Sequence, residues 1–302
     1  MMTDLSEQIL RNWMTRKKYA QKSEFIAFLK QYFPELKEEE PAGLTKSRNL
    51  ILGDVENASY IFTAHYDTCA LLPFPNLVFT NNFIATILYS VITVLPLFIL
   101  AIALGTFLMS LGAPPMVGMG VMYLMMFLSL YMVYAGIPSK TTVNDNTSGV
   151  ITLIELYSSM NEQQKAKTAI VFFDNEELGL LGSAAFSRKY RKLLDGKTIV
   201  NFDCVSDGDN ICFLLRGDRA SLADTIRECY AQPDKNLLIR RPFNTFYPSD
   251  QSSFRNSIGV CALHHCLLGY YIPRIHTKRD VIMDRRNIEY LVSGSLKLIN
   301  RD

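Results

Sequence analysis

The stretch Lys167-Thr168-Ala169-Ile170-Val171-Phe172-Phe173-Asp174-Asn175-Glu176-Glu177-Leu178-Gly179 decides how this chain folds. Residues 167–173 form an apolar run of strand length, rich in β-branched and aromatic side chains. That composition predicts a strand buried on both faces, while residues 178–190 carry helical periodicity. The same alternation recurs outward from this point. Residues 149–160 read as a helix, 198–203 and 211–215 as strands, 220–231 as a helix, 257–264 as a strand and 286–298 as a closing helix. Upstream, residues 49–52 and 59–64 read as paired strands joined through the turn-like 53–57. Before them, Leu5, Ile9, Leu10, Trp13 and Met14, then Phe25, Ile26, Phe28, Leu29 and Phe33, mark two short amphipathic helices. Strands alternating with helices predict an α/β/α sandwich with a mixed, mostly parallel central sheet.

The 302 residues carry a net charge of only +2, which gives no electrostatic case for a nucleic-acid surface, and no nucleic-acid partner is expected. The charge is unevenly distributed: residues 68–139 contain no Asp, Glu, Lys, Arg or His. Within them, residues 83–111 and 117–137 are apolar runs long enough to cross roughly 30 Å of hydrocarbon. Gly112-Ala113-Pro114-Pro115 between them allows only a short turn. The expectation is a transmembrane helical hairpin, residues 71–140, inserted into one domain made of residues 1–70 and 141–302. Two buried core helices, or an apolar lid or dimer surface, are the alternatives. The cysteines Cys69, Cys204, Cys212, Cys229, Cys261 and Cys266 form no CxxC pair and read as reduced, mostly buried thiols. With Lys140 beside the second run, and no cleaved signal evident in the first residues, they favour a cytoplasmic catalytic domain.

Candidate ligand groups fall at the ends of the predicted strands, where open α/β sheets place their sites. In His65-Tyr66-Asp67 the two-residue period puts imidazole and carboxylate on one face, so either the pair is simply hydrogen-bonded, the usual case for this motif alone, or His65 binds a metal while Asp67 fixes its tautomer. Asp145 precedes a helix in Val143-Asn144-Asp145-Asn146-Thr147-Ser148-Gly149; it is either a cap or, since Thr147 and Ser148 can cap instead, a ligand. Glu176 and Glu177 follow directly on a buried strand. One can ligate and the other act as a base, unless they are simply the favourable acids of a first helical turn. Asp203 ends another strand, and His276 follows Tyr270-Tyr271-Ile272-Pro273-Arg274-Ile275. Two imidazoles and three carboxylates, His65, Asp145, Glu177, Asp203 and His276, suit a pair of zinc ions sharing one carboxylate.

In these motifs the chain resembles the two-zinc exopeptidases that include bacterial leucyl aminopeptidase and glutamate carboxypeptidase, with glutaminyl cyclase as a divergent relative. The shared motifs are His65-Tyr66-Asp67, Asp145-Asn146-Thr147-Ser148-Gly149, Glu176-Glu177-Leu178-Gly179-Leu180-Leu181-Gly182-Ser183, Phe202-Asp203 and His276-Thr277. The resemblance implies that Asp145 bridges two zinc ions, with His65 and Asp203 completing one site and Glu177 and His276 the other. It also implies that Glu176 is the general base, that Asp67 is the orienting carboxylate, and that a cis peptide follows Asp145. Tyr270 or Tyr271 is placed either to donate to the oxyanion or to pack. The chain departs from the pattern at Gln251, where family members often carry His, and in the insertion between His65 and Asp145.

The activity this implies is a membrane-anchored zinc exopeptidase, an aminopeptidase above all, acting on peptides or acylated amino acids that reach it from the lipid bilayer. Another amide hydrolase, a glutaminyl cyclase, or an inactive membrane scaffold of the same fold are the alternatives. The two apolar runs let the chain leave and re-enter the domain on one side of the bilayer, which brings both stems close to the ligand groups.

Overall fold

A computed structural model describes residues 3–39, 46–232 and 234–301. The strand β5 (Thr168–Phe173) is buried at all six positions and therefore needs a partner along both edges. It takes β2 (Asn49–Leu52) antiparallel on one side and β3 (Tyr60–His65) parallel on the other. β2 and β3 are thus not paired with each other, as their closeness in sequence suggests. The intervening residues cross the end of β5, where Gly53 (φ 86°) packs so close that an added Cβ would lie 2.6 Å from the Thr168 carbonyl oxygen.

Next to β3 comes β6 (Thr198–Phe202), then β9 (Ile258–Cys266), both parallel to their inner neighbour. Antiparallel strands flank this parallel centre. β1 (Lys37–Glu39) lies outside β2, and β10 (Gly269–Pro273) and β4 (Leu77–Phe79) extend the sheet beyond β9. β7 (Asn210–Leu215) pairs with β9 antiparallel and carries β8 (Asn236–Arg240). The sheet is mixed, with its parallel part where the candidate ligands emerge.

Alternation along the strands builds two layers. Tyr60, Phe62 and Ala64 face a core shared with α1 (Asp4–Asn12), α2 (Tyr19–Tyr32), α5 (Ser148–Ser159), α8 (Ala223–Tyr230) and α9 (Arg285–Ile299). Ile61, Val171, Phe173 and Ile199 face the other side, against Phe186 of α7 (Leu181–Lys189) and Phe254. The short α6 (Glu162–Ala166) leads into β5. The helix expected over 178–190 begins only at Leu181, because residues 174–180 form the turn that bears the two glutamates.

α3 (Phe83–Ser110) and α4 (Pro115–Ala135) form the predicted helical pair, and each contains a stretch apolar and long enough to cross a membrane, only 6% buried. Ile84 is 70% exposed and Met116 83%, which excludes the core-helix alternative. The helices touch at Gly105 and Gly118, where a Cβ on either would lie 2.7 Å from the other's carbonyl oxygen, the small-residue contact that helices in lipid favour. Their roots are joined by the bridge between Ala70 and Pro138. The inserted segment also supplies β4, so it is more than a hairpin.

One buried cation was not evident from sequence. Arg16, fully buried, donates from Nε to the Tyr66 carbonyl (2.6 Å), from a terminal nitrogen to Thr147 Oγ1 (3.1 Å), and to the Trp13 carbonyl. Burial lowers its pKa to about 10 despite Asp67 nearby. Arg16→Met leaves those acceptors unpaired and should destabilise the domain by about 2–4 kcal/mol. Thermal unfolding in detergent checks this; an unchanged midpoint would contradict it.

Candidate metal centre

Parallel register brings the ligand residues to one rim. His65 pairs with Phe173, so the residues just after β5 lie beside it, and Thr63 pairs with Asn201, which brings Asp203 alongside from β6. Asp145 reaches the same place from a distorted turn, Val143–Thr147, ahead of α5. The peptide after Asp145 is cis. Asp280 holds this turn by accepting the main-chain N–H groups of Asn144 (2.6 Å) and Asp145 (3.1 Å). His276 follows β10 in left-handed conformation (φ 60°).

The side chains of His65, Asp67, Asp145, Glu177, Asp203 and His276 meet here, and Glu176 is tied to them through its main-chain N–H on Asp67. Asp145 lies between the imidazoles, with Oδ1 3.3 Å from His65 Nε2 and Oδ2 2.9 Å from His276 Nε2. Asp203 Oδ1 is 3.6 Å from His65 Nε2, and Glu177 Oε2 is 3.4 Å from His276 Nε2. Two donor groups result: His65, Asp145 and Asp203 form one, while Glu177 and His276 form the other together with Cys69. Asp67 behaves differently from expectation. His65 Nδ1 lies 3.1 Å from the Asp67 main-chain oxygen and 3.6 Å from its carboxylate. That carboxylate instead accepts the main-chain N–H groups of Glu176 (3.0 Å) and Glu177 (3.2 Å).

The electrostatics show a site short of positive charge. Burial opposes protonation of His65, yet Glu176 and the surrounding Asp145, Asp203 and Asp67 raise its pKa well above the usual value. His276, also opposed by burial, is pushed up to about 9 by Glu177 and Asp145. Burial works against the Asp145 charge, but His276 and His65 hold its carboxyl well below the usual range. Glu177 is pushed up to about 7 and Asp280 to about 8, both chiefly by burial. Among the described residues, His65 Nε2, Glu177 Oε1 and Asp203 Oδ1 are buried without a hydrogen-bond partner. Unpaired donor atoms converging in a buried, acid-rich cluster fit divalent cations.

Several supporting residues carried no sequence signal of their own. Asp280 reaches the Asp145 turn from four residues beyond His276. Asp207 binds Arg274 through both its oxygens (2.8 and 2.6 Å), fixing the turn before His276. The roots of the helical insertion hold the same turn: Leu72 N–H donates to the His276 carbonyl (2.8 Å), and Thr141 Oγ1 donates to the Thr277 carbonyl (3.0 Å). Gln251, in the position where His was expected, is buried; it accepts from Asn201 Nδ2 (2.9 Å) and donates to the Tyr247 carbonyl (2.7 Å). Tyr270 is taken up against His265 and Arg240, and Tyr271 against Phe79 and His264.

Comparison with known proteins places these residues in context. The profile of peptidase family M28 matches residues 130–293. The chain is 24% identical over 171 residues to a vacuolar membrane protease of Candida glabrata, which is 55% of this chain and 18% of that protein. It is also 24% identical over 153 residues to a vacuolar membrane protease of Kluyveromyces lactis, covering 49% and 16%. It therefore spans less than a fifth of the length of these curated relatives. Its fold is shared with the LapA aminopeptidase of Legionella pneumophila (TM-score 0.60, 12% identity, 99% of this chain and 69% of that one). It is shared equally with a glutaminyl cyclase of Porphyromonas gingivalis (TM-score 0.58, 16% identity, 99% and 98%).

Proposed function

The chain belongs to peptidase family M28, and from that premise we propose that it is a membrane-anchored zinc metallopeptidase, an exopeptidase of the aminopeptidase kind. The observation that carries the reading is Asp145, whose two oxygens face two different imidazoles. His65, Asp145 and Asp203 would hold one zinc ion, and Asp145, Glu177 and His276 the second. When bound, the pair supplies Lewis-acid polarisation of the scissile carbonyl and lowers the pKa of the attacking water. Glu176 takes the proton of that water and returns it to the leaving amine. Asp67 aims both glutamates at once by accepting their main-chain N–H groups, so base and ligand keep a fixed relation. The His65 tautomer is set by the Asp67 carbonyl, which accepts from Nδ1–H and leaves Nε2 free to ligate.

In this reading α3 and α4 are a transmembrane hairpin inserted between residues 1–70 and 141–302. Their exposed apolar surfaces and the likeness to vacuolar membrane proteases support it. Phe243 (86% exposed) and Leu267 (fully exposed) lie on turns that meet the start of α3: Phe246 packs on Phe83, and Asn82 Nδ2 donates to the Leu268 carbonyl. These residues would rest in the lipid interface. A cavity of about 580 Å³ is lined by the apolar Leu71, Leu72, Phe74 and Leu77 together with Arg274, Thr277, Lys278 and Arg279, the chain neighbours of His276. Peptides or acylated amino acids with apolar side chains would fill it from the membrane. The free thiols and Lys140 favour a cytoplasmic catalytic domain.

The test uses the full chain in lipid vesicles. It should cleave peptides with a free amino terminus, lose activity to a chelator and regain it with zinc, and act faster on lipid-partitioned than on soluble substrates. Cleavage indifferent to chelator would overturn the metal assignment. Equal rates on both substrate classes would overturn the membrane route, and removal of carboxyl-terminal residues the aminopeptidase assignment.

A further inference from the structure

We propose that Cys69 is a thiolate ligand of the metal ion held by Glu177 and His276; the inference rests on the zinc reading above. Cys69 lies two residues beyond Asp67 and is fully buried. Its Sγ, a Glu177 carboxylate oxygen and a His276 ring nitrogen all lie within 4.8 Å of one another. Glu177 independently points to a ligand there: its side chain is only 9% exposed, and Oε1 has no hydrogen-bond partner.

The main chain keeps thiol and imidazole together. Leu72 N–H donates to the His276 carbonyl, and Ser139 N–H donates to the Cys69 carbonyl (3.2 Å). With Asp145 Oδ2 2.9 Å from His276 Nε2, this ion would have four protein donors: one sulfur, one nitrogen and two carboxylates. Four protein donors satisfy a tetrahedral zinc ion, whereas His65, Asp145 and Asp203 provide three and leave a position open. The two sites therefore differ. The ion beside Cys69 would be the more tightly held of the two, and the pair would still act together on carbonyl and water. A thiolate also favours zinc over magnesium or manganese, which prefer oxygen donors. On binding, the Cys69 S–H bond breaks, its proton passes to solvent and the sulfur lone pair takes the metal.

Cobalt(II) loaded into the full chain in detergent reads this directly. The wild-type protein should bind two cobalt ions and show a thiolate-to-cobalt charge-transfer band. Cys69→Ser should lose the band and weaken the second equivalent by more than the 10–100-fold cost of an outer-shell change. Cys204→Ser, altering the thiol next to Asp203, should keep the band. X-ray absorption of the zinc-loaded wild-type protein should show sulfur at about 2.3 Å, about one per two zinc ions; this decides the matter even if Cys69→Ser fails to fold. Two bound metal ions without a sulfur signal would overturn the Cys69 assignment and leave the zinc reading standing, as would a band lost with Cys204→Ser alone. A protein that binds neither cobalt nor zinc would overturn both.

Discussion

Glu176→Gln should leave the zinc content unchanged and lower kcat by about 10²–10⁴-fold, the share of rate a positioned general base supplies. The amide keeps the shape of the side chain and the main-chain N–H that Asp67 Oδ1 holds at 3.0 Å. Only the capacity to take a proton is lost. Burial, joined by Glu177, Asp250 and Asp203 and opposed by His65, pushes the Glu176 carboxyl well above its usual pKa, so the environment favours a group that gains a proton readily. The neighbouring substitution gives the contrast. Glu177→Gln removes a charge that faces His276 at 3.4 Å and should lose metal along with rate. Steady-state kinetics with metal analysis separates the two; a Glu176→Gln enzyme retaining more than about a tenth of wild-type kcat would remove Glu176 from the mechanism.

Asp145→Asn is the second large effect, and in the two-zinc site proposed above it should strip both ions. The substitution is isosteric and keeps the main-chain bond from residue 145 to Asp280 Oδ2, so the turn can persist. It removes the one carboxylate that, among the described residues, faces both imidazoles. Zinc affinity at both positions should fall by more than about 100-fold, beyond the loss typical of an outer-shell partner, and activity should fall with it. By comparison, Asp203→Asn should empty chiefly the His65 position. Inductively coupled plasma analysis of each purified variant counts the ions; an Asp145→Asn protein with full zinc would refute the bridging role.

The sequence displayed the centre of this molecule clearly and its edges poorly. β3, β5 and β6 are buried on both faces, so their apolar runs stand out, and charged side chains at their ends are conspicuous because burial makes them costly. Chain order is a weaker guide to pairing. β5 separates β2 from β3 because a fully buried strand must satisfy both its edges, a demand no local window contains. Leu77–Phe79 was absorbed into the uncharged segment since three apolar residues look the same in a sheet edge as beside a membrane span. Arg16, Asp207 and Asp280 act across long stretches of chain on main-chain groups, which leave no mark in sequence spacing. Cys69 read as one more buried thiol because nothing in its neighbourhood announces His276, some two hundred residues away.

The hydrogen bonds from Leu72 to His276 and from Thr141 to Thr277 make the apolar helices a lever rather than a tether. In the membrane-inserted arrangement proposed above, bilayer thinning, lateral pressure or a sideways load on the pair would reach the main chain of the turn that carries His276 through residues 72–82 and 136–141. Catalytic competence would then be set in part by the lipids around the protein, and a micelle of the wrong girth would act as an inhibitor without touching the substrate cleft.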